Sequence, residues 1–349
     1  MRNKLIVTLL AFMVIWQTPA KADAGFKDLP STYWATPAIM ELVNAGYMEG
    51  FEDGTFRPNE TITRAEAAAI IARTTGEAFS SNFPLQAVDV LPTHPYYAEI
   101  CKLAELGIIQ NNEYVRPDEP LQRAHLAKMI ALAFNITTDA QNKMTFKDLP
   151  KGYWAKDYIE SLADIQIITG KTANKFEPTA YVTRAHLAAF AVRGMDFQQK
   201  VKNHEIAYDY LIKGYIPTLN EKANFAEEAI RNVNKIRQDN GLAPLKHDPL
   251  LSQLAVIKAQ DMVQRNYFDH KSPHYGAPWD MAELFDYTYT SFGENIARNF
   301  NTAQAVTDAW MASAAHRENI LKSSYTNIGI GIKRTVSGQY YWVQLFSSK

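Results

Sequence analysis

The chain contains a single cysteine, Cys101, among 349 residues. No intramolecular disulfide can form, so stability must come from a packed core. Cys101 lies in an apolar helical stretch with Ile100, Leu103, Ala104 and Leu106, the setting of a small buried hydrophobe. An excess of one charge is also missing: 36 Lys and Arg stand against 37 Asp and Glu, a formal net charge of −1. That balance excludes broad electrostatic attraction to nucleic acid, and any bound anion must be held by local geometry. After Trp16 no stretch is apolar enough to cross a bilayer. A nucleophile-elbow motif is absent as well.

What is present begins with a leader pattern. Arg2 and Lys4 precede an apolar run from Leu5 to Trp16, followed by the small-residue spacing Ala20-Lys21-Ala22. This order predicts a secretory signal peptide over residues 1–24. The run is too short for a membrane span, so no transmembrane anchor is expected after its removal. Taking away Met1 to Ala22 removes three cations and no acid, which moves the formal charge from −1 to −4. Export without disulfides suits a bacterial surface protein.

One phrase then occurs three times. The first copy runs from Phe26-Lys27-Asp28-Leu29-Pro30 through Tyr33-Trp34-Ala35 to Ile62-Thr63-Arg64-Ala65-Glu66. The third runs from Phe146-Lys147-Asp148-Leu149-Pro150 through Tyr153-Trp154-Ala155 to Val182-Thr183-Arg184-Ala185-His186. A weaker middle copy starts at Val88-Asp89-Val90-Leu91-Pro92, passes Tyr96-Tyr97-Ala98 and ends at Leu121-Gln122-Arg123-Ala124-His125. Self-similarity at a spacing of roughly sixty residues predicts stacked units that share a core. Each unit reads as helix, turn, helix. Ala38, Ile39, Leu42 and Val43 recur at helical spacing before Gly46, Asp53-Gly54 supplies a turn, and Thr63 with Glu66 forms a capping box.

Arg64, Arg123 and Arg184 each stand at the start of a helix. The first turn of a helix offers unpaired amides and partial positive charge, and arginine adds a fork of donors suited to carboxylate or phosphate. Trp34, Tyr97 and Trp154 could offer flat faces to a sugar ring. The alternative is an ion pair with Asp28, Asp89 or Asp148 that ties one repeat to the next, and residue chemistry leaves both open.

Residues 25 to 198 resemble the S-layer homology (SLH) repeat of bacterial surface proteins through Phe-Lys-Asp-Leu, Tyr-Trp-Ala, Gly-Phe-x-Asp-Gly-Thr-Phe-x-Pro and Ile-Thr-Arg-Ala-Glu. The resemblance implies an all-α, three-repeat pseudo-threefold bundle whose grooves bind a pyruvylated secondary cell-wall polysaccharide attached to peptidoglycan. It implies that Arg64, Arg123 and Arg184 meet the pyruvate carboxylate, with Asp28, Asp148, Trp34 and Trp154 lining the grooves. The middle copy departs with Tyr97 for tryptophan and Gln122 for threonine, and lacks the Asp-Gly-Thr-Phe turn; the third has Gln166 where Gly46 stands in the first. His125 and His186 replace the capping glutamate, which removes a negative charge beside the anion. Their protonation is expected to tighten wall binding below about pH 6.5.

From Gly194 to about Asn224 the pattern loosens into a solvated connector, with Tyr208 to Ile216 as a short docking segment. Ile230, Val233 and Ile236 mark a new helix; Pro249 opens another with Leu251, Leu254, Ala255 and Met262 inside. A further helix is expected from Asn301 or Thr302. Asn327 to Lys333 and Gln339 to Phe346, joined by Ser337-Gly338, predict a hairpin. Three or four helices and a terminal hairpin make an α+β domain.

His270, Glu294 and His316 are its chemical residues. Two imidazoles and a carboxylate suit a zinc-like ion, or a base with its orienter; separate surface histidines are the alternative. His274 is discounted as a ligand because Ser272-Pro273 breaks any helix that would place it beside His270. The segment from Phe225 to Phe346 resembles the bacterial branch of the CAP superfamily (cysteine-rich secretory, antigen 5, pathogenesis-related). The resemblance rests on Asn234 and Arg237, Phe268-x-His270-x-Ser272-Pro273, Gly293-Glu294-Asn295-Ile296-Ala297, Trp310-x-x-Ser313-x-x-His316-Arg317-x-Asn319-Ile320-Leu321, Ile328-Gly329-Ile330-Gly331 and Tyr341-Trp342-x-Gln344-x-Phe346. It implies an α-β-α sandwich with a cavity lined by two histidines and two glutamates, of which His270, Glu294 and His316 supply three. Ser313 falls where the remaining glutamate would be, and only an inward-turned Glu318 or Asp308 could replace it.

The reading is therefore a multidomain protein: signal peptide 1–24, repeats at 25–83, 84–143 and 144–199, linker 200–222, CAP domain 223–349. Its expected place is the cell wall or S-layer surface of a Gram-positive bacterium. The CAP domain is expected to be a binding module for a protein, lipid or wall component rather than an enzyme. A metal-assisted hydrolase of peptide or wall substrates is the alternative, with a divalent ion such as zinc as the one candidate cofactor. A serine hydrolase using Ser313 and His316 ranks below both, and a purely structural wall protein stays open as a further alternative.

Overall fold

A computed structural model describes residues 25–79 and 82–349. The expected signal peptide lies outside the described residues. The described residues fall into two compact units: the chain up to Leu126 with Thr179–Val192, and Ala127–Pro178 with Arg193–Lys349.

In the first unit, α1 (Thr36–Asn44) buries Ile39 and Leu42 and stops at Gly46, whose φ of 72° only glycine adopts cheaply. α2 (Arg64–Thr74) opens on the expected capping box: Glu66 N donates to Thr63 Oγ1 (3.2 Å) and Thr63 N to Glu66 Oε2 (2.9 Å). α3 (Tyr97–Glu105) buries Ile100, Cys101 and Leu103. α4 (Arg123–Ala133) and, later, α6 (Arg184–Lys202) both start in this unit.

The segments leading into α2, α4 and α6 are joined in a closed ring. Ile62 N donates to Val182 O (3.0 Å), Val182 N to Leu121 O (2.8 Å) and Leu121 N to Ile62 O (2.9 Å). A second ring surrounds it: Arg64 N to Glu119 O (2.9 Å), Arg123 N to Ala180 O (2.9 Å) and Arg184 N to Glu60 O (3.0 Å). Ile62, Leu121 and Val182 are buried at its centre. The backbone closes this ring, and the repeated apolar residue ahead of each Thr/Gln-Arg pair supplies a side chain that can be buried there.

The second unit holds α5 (Lys156–Asp164), a two-stranded hairpin and a helix-sheet-helix sandwich. α6 runs on to Lys202, where the sequence reading placed a loosened connector. Gly194 does not end it; a Cβ there would collide with the Phe134 ring, so the glycine serves close packing. The expected linker is also structured. β1 (Ile206–Asp209) pairs antiparallel with β2 (Gly214–Pro217). Tyr208 donates its hydroxyl to Asp139 Oδ2 (2.8 Å), and the Tyr215 hydroxyl accepts from Thr137 N (2.9 Å).

The sandwich sheet has the order β3-β5-β6-β4. The expected hairpin is β5 (Asn327–Arg334) with β6 (Tyr340–Ser348), antiparallel. β3 (Lys246–His247) and β4 (Ser291–Arg298), which carries the Gly-Glu-Asn-Ile-Ala motif, extend the sheet beyond the sequence reading. One face is covered by α7 (Ala223–Asp239) and α10 (Ala303–Ala312), packed on Ile328, Ile330, Ile332, Trp342 and Phe346. The other is covered by α8 (Pro249–Gln264) and α9 (Pro278–Leu284), packed on Tyr341, Val343 and Leu345. The Ile-Gly alternation in β5 follows from this asymmetry. A Cβ at Gly329 or Gly331 would strike the α8 backbone at Leu251–Ser252 or Ala255–Val256, so only glycine lets the helix lie so close. α11 (Ala314–Leu321) follows α10 after a break at Ser313, which belongs to neither helix and makes no side-chain cap bond.

Candidate functional site

Two sites were expected, one at the repeats and one in the sandwich. At the repeats neither Arg64 nor Arg184 is paired with Asp28, Asp89 or Asp148 among the described residues. Both Asp28 oxygens accept backbone amides, from Phe56 N (2.7 Å) and Arg57 N (2.7 Å). Asp89 does the same for Val115 and Arg116, and Asp148 for Phe176 and Glu177. Arg57, Arg116 and Glu177 are all left-handed, with φ of 56°, 59° and 60°. Each aspartate thus pins a turn whose conformation costs energy in a non-glycine residue.

Arg64 and Arg184 bind carbonyls instead. Arg64 donates Nε to Val115 O (2.7 Å). Arg184 donates Nε to Phe56 O (2.9 Å) and Nη2 to Glu49 O (2.6 Å). Neither has a carboxylate within ion-pair distance among the described residues. Arg184 is only 8% exposed, and burial lowers its affinity for its proton, offset at longer range by Glu66 and Glu60. Arg123 is buried too. The amides expected to be open at these helix starts are taken. Besides Arg64 N and Arg184 N, Ala65 N donates to Pro117 O (3.0 Å) and Ala185 N to Pro58 O (3.0 Å). An incoming anion would therefore meet the guanidinium and the helix dipole rather than free amides.

Trp34, 52% exposed, faces the His186 ring at 5.4 Å. His186 keeps one half of the capping box of the first repeat, its N donating to Thr183 Oγ1 (3.3 Å), and its Nδ1 lies 2.6 Å from the same oxygen. Arg184 also lines a cavity of about 230 Å³ with Glu49, Phe51, Glu66, Arg73 and Tyr96. Arg73 is neutralised there by Glu99 at 2.9 Å. Trp154 is likewise exposed.

In the sandwich, His270 lies in the loop after α8 and Glu294 on β4, with His270 Nδ1 2.7 Å from Glu294 Oε1. The imidazole is 54% exposed and the carboxylate 3%. The hydrogen bond from the ring to Glu294 raises the His270 pKa above its ordinary value, against the opposing effect of burial. His316, on α11, is brought close enough that burial first and the His270 charge second lower its pKa. The docking of α11 on β4 is fixed by Asn319 Nδ2, which donates to Glu294 O (3.2 Å) and Asn295 Oδ1 (2.9 Å), and by Asn295 Nδ2, which donates to His316 O (3.1 Å).

These residues do not fit a zinc ion. Among the described residues no three His, Cys, Asp or Glu side chains form a group that could hold a metal. His270 Nδ1 is committed to Glu294. Asp308 and Glu318 are exposed rather than turned inward. His274 lies elsewhere, against Tyr275 and 3.9 Å from Asp209.

The sequence reading missed the support beneath His270. Lys258, on α8 and 2% exposed, donates Nζ to Asp269 O (2.8 Å), His270 O (2.8 Å) and Tyr267 Oη (3.1 Å). Asp261 accepts from the hydroxyls of Tyr267 and Ser272, and Ser272 Oγ accepts His274 N (3.0 Å) and Tyr275 N (2.8 Å). The signal was present: Lys258 falls on the stripe of Leu254 and Met262, where an apolar residue belongs. His270 and Glu294 line an open cavity of about 460 Å³ with Asp269, Lys271, Trp279 and Phe292.

The sequence matches the S-layer homology domain at residues 25–68, 88–127 and 145–188, and the cysteine-rich secretory protein family (CAP) at residues 230–346. It is similar to an uncharacterized protein, YkwD, of Bacillus subtilis: 43% identical over 125 residues, 36% of this chain and 48% of that protein. It is also similar to S-layer protein EA1 of Bacillus anthracis, 30% identical over 219 residues, 60% of this chain and 25% of that protein. A solved extracellular protein containing an SCP domain, from Bacillus anthracis, matches at 23% identity and a TM-score of 0.34, over 44% of this chain and 50% of that one. The chain spans about half or less of the length of these relatives.

Proposed function

We propose that this chain, which belongs to the S-layer homology and CAP families through its three repeats and its C-terminal domain, is a wall-bound surface protein of a Gram-positive bacterium. Its repeats hold an anionic, pyruvylated secondary wall polysaccharide, and its CAP domain is a binding module displayed from that anchor. The observation that carries the anchor reading is the state of Arg64 and Arg184. Both are partly or wholly buried guanidinium groups at helix starts, bonded to neutral carbonyls and matched by no adjacent carboxylate. A buried cation whose nearby carboxylates (Glu66 and Glu60 for Arg184, Glu119 for Arg64) act only at longer range still favours a contacting anion from outside. The exposed face of Trp34 adjoins the same helix start and suits the apolar face of a sugar. Several modest grooves on one chain gain by avidity on a repeating polymer. In this role Asp28 and Asp148 shape the groove by pinning its turns.

For the CAP domain, a half-open cavity with one oriented imidazole supports binding. The metal-assisted alternative lacks a ligand set, and Ser313 makes no bond to a base among the described residues.

Co-sedimentation of the mature protein with purified walls, before and after the secondary polysaccharide is stripped, tests the anchor. Binding is expected to vanish with stripping. Undiminished binding to stripped walls would mean that the repeats are only a scaffold.

A further inference from the structure

The CAP cavity is split by chemistry. Asp269, His270, Lys271 and Glu294 form its polar side, and Ala277, Pro278, Trp279 and Phe292 its apolar side. Trp279 stands at the start of α9 and is 57% exposed, an unusual cost for the largest apolar side chain unless something covers it. At about 460 Å³ the space lies within the range of small-ligand pockets, roughly 300–1,000 Å³.

Three classes of occupant can be separated on these residues. A peptide added as a strand would use the outer edge of β4, which pairs only with β6. That edge is covered: Phe292 O accepts from the Tyr325 hydroxyl (3.0 Å), Glu294 O from Asn319 Nδ2 (3.2 Å) and Ile296 O from Trp310 Nε1 (3.4 Å). An alkyl chain would bury the polar His270–Glu294 pair against hydrocarbon without replacing its water, which opposes binding. A polyion is disfavoured because the two carboxylates of the lining are balanced by Lys271 and His270.

A neutral pyranose meets every demand. Its C–H face covers an indole, while its hydroxyls and an acetamido N–H have the exposed carboxylate of Asp269 as acceptor and the imidazole of His270, which Glu294 orients. We infer that the cavity bounded by Trp279 and the His270–Glu294 pair binds a neutral, N-acetylated pyranose chain, with Trp279 as the stacking platform. The inference rests on the reading of the CAP domain as a binding module and names its ligand class.

The test is calorimetric titration of the mature full chain with a tetramer of β-linked N-acetylglucosamine, with decanoate, and with an unstructured peptide of mixed sequence. Wild type is compared with Trp279→Ala, Trp279→Phe and Val336→Ala, the last at the fully exposed turn between β5 and β6. Saturable tetramer binding is expected, weakened about tenfold by Trp279→Ala, largely kept by Trp279→Phe and unchanged by Val336→Ala. No tetramer binding, or binding indifferent to Trp279→Ala, overturns the inference. If decanoate or the peptide saturates the cavity in a Trp279-dependent way instead, the glycan inference falls while the binding-module reading stands. If none of the three binds, both fall.

Discussion

Glu294 is nearly inaccessible to solvent, yet the imidazole bonded to it at 2.7 Å, His270, is about half exposed. The buried carboxylate acts as an orienter, fixing one ring nitrogen and leaving the other toward the cavity. His270 and His316 should therefore titrate apart, His270 above the ordinary value and His316 below it. Proton titration of the two rings by NMR checks this, and Glu294→Gln should bring the His270 value down. The stability that His270 contributes is fully present below about pH 6.5 and fades as pH rises through its raised folded value. His316 acts in the opposite sense, its contribution being lost as pH falls through its lowered folded value.

Asp28 and Arg64 should separate stability from binding. Asp28→Ala removes the acceptor of two backbone amides at a left-handed turn and should cost about 1–3 kcal/mol in denaturant unfolding. Arg64→Lys keeps the charge but loses the fork and the Nε bond to Val115, so wall binding should weaken by more than stability does.

Lys258→Met should loosen the loop that carries His270. The substitution fits the volume but removes the donor to the Asp269 and His270 carbonyls, at a cost of about 1–3 kcal/mol, while the Tyr267 hydroxyl keeps its bond to Asp261. Faster amide exchange at residues 269–272, with the sheet still protected, is the expected result.

Wall binding should tighten below about pH 6.5 if His186, beside Trp34 and two residues from Arg184, adds its charge to the groove. Pull-down at equal salt about one pH unit either side of that value measures it, and His186→Gln should abolish the dependence.

Local signals in the sequence were strong. The Thr63 capping box, the Gly46 stop, Pro249 at the start of α8 and the β5–β6 hairpin all stand where local chemistry places them. The pairing of His270 with Glu294 was legible only as a set of residue types, since the two come from distant elements. β4 escaped detection because Glu294 and Asn295 are both buried, which erases the alternation of a half-buried strand. The β1–β2 hairpin was hidden by a polar flank and by the absence of an Asn-Gly or Asp-Gly turn; Lys213 takes the left-handed position at φ 49°. The arginine partners were the least legible. Carbonyl acceptors carry no residue signature, so a sequence offers only carboxylates to pair with.

The most direct test of the anchor is the affinity of the mature chain for purified secondary wall polysaccharide with and without its pyruvate ketal, at one fixed salt concentration. The account predicts that removing the ketal abolishes most of the binding, and that Arg64→Ala with Arg184→Ala does the same to the intact polymer. Equal affinity for both polymers would contradict it.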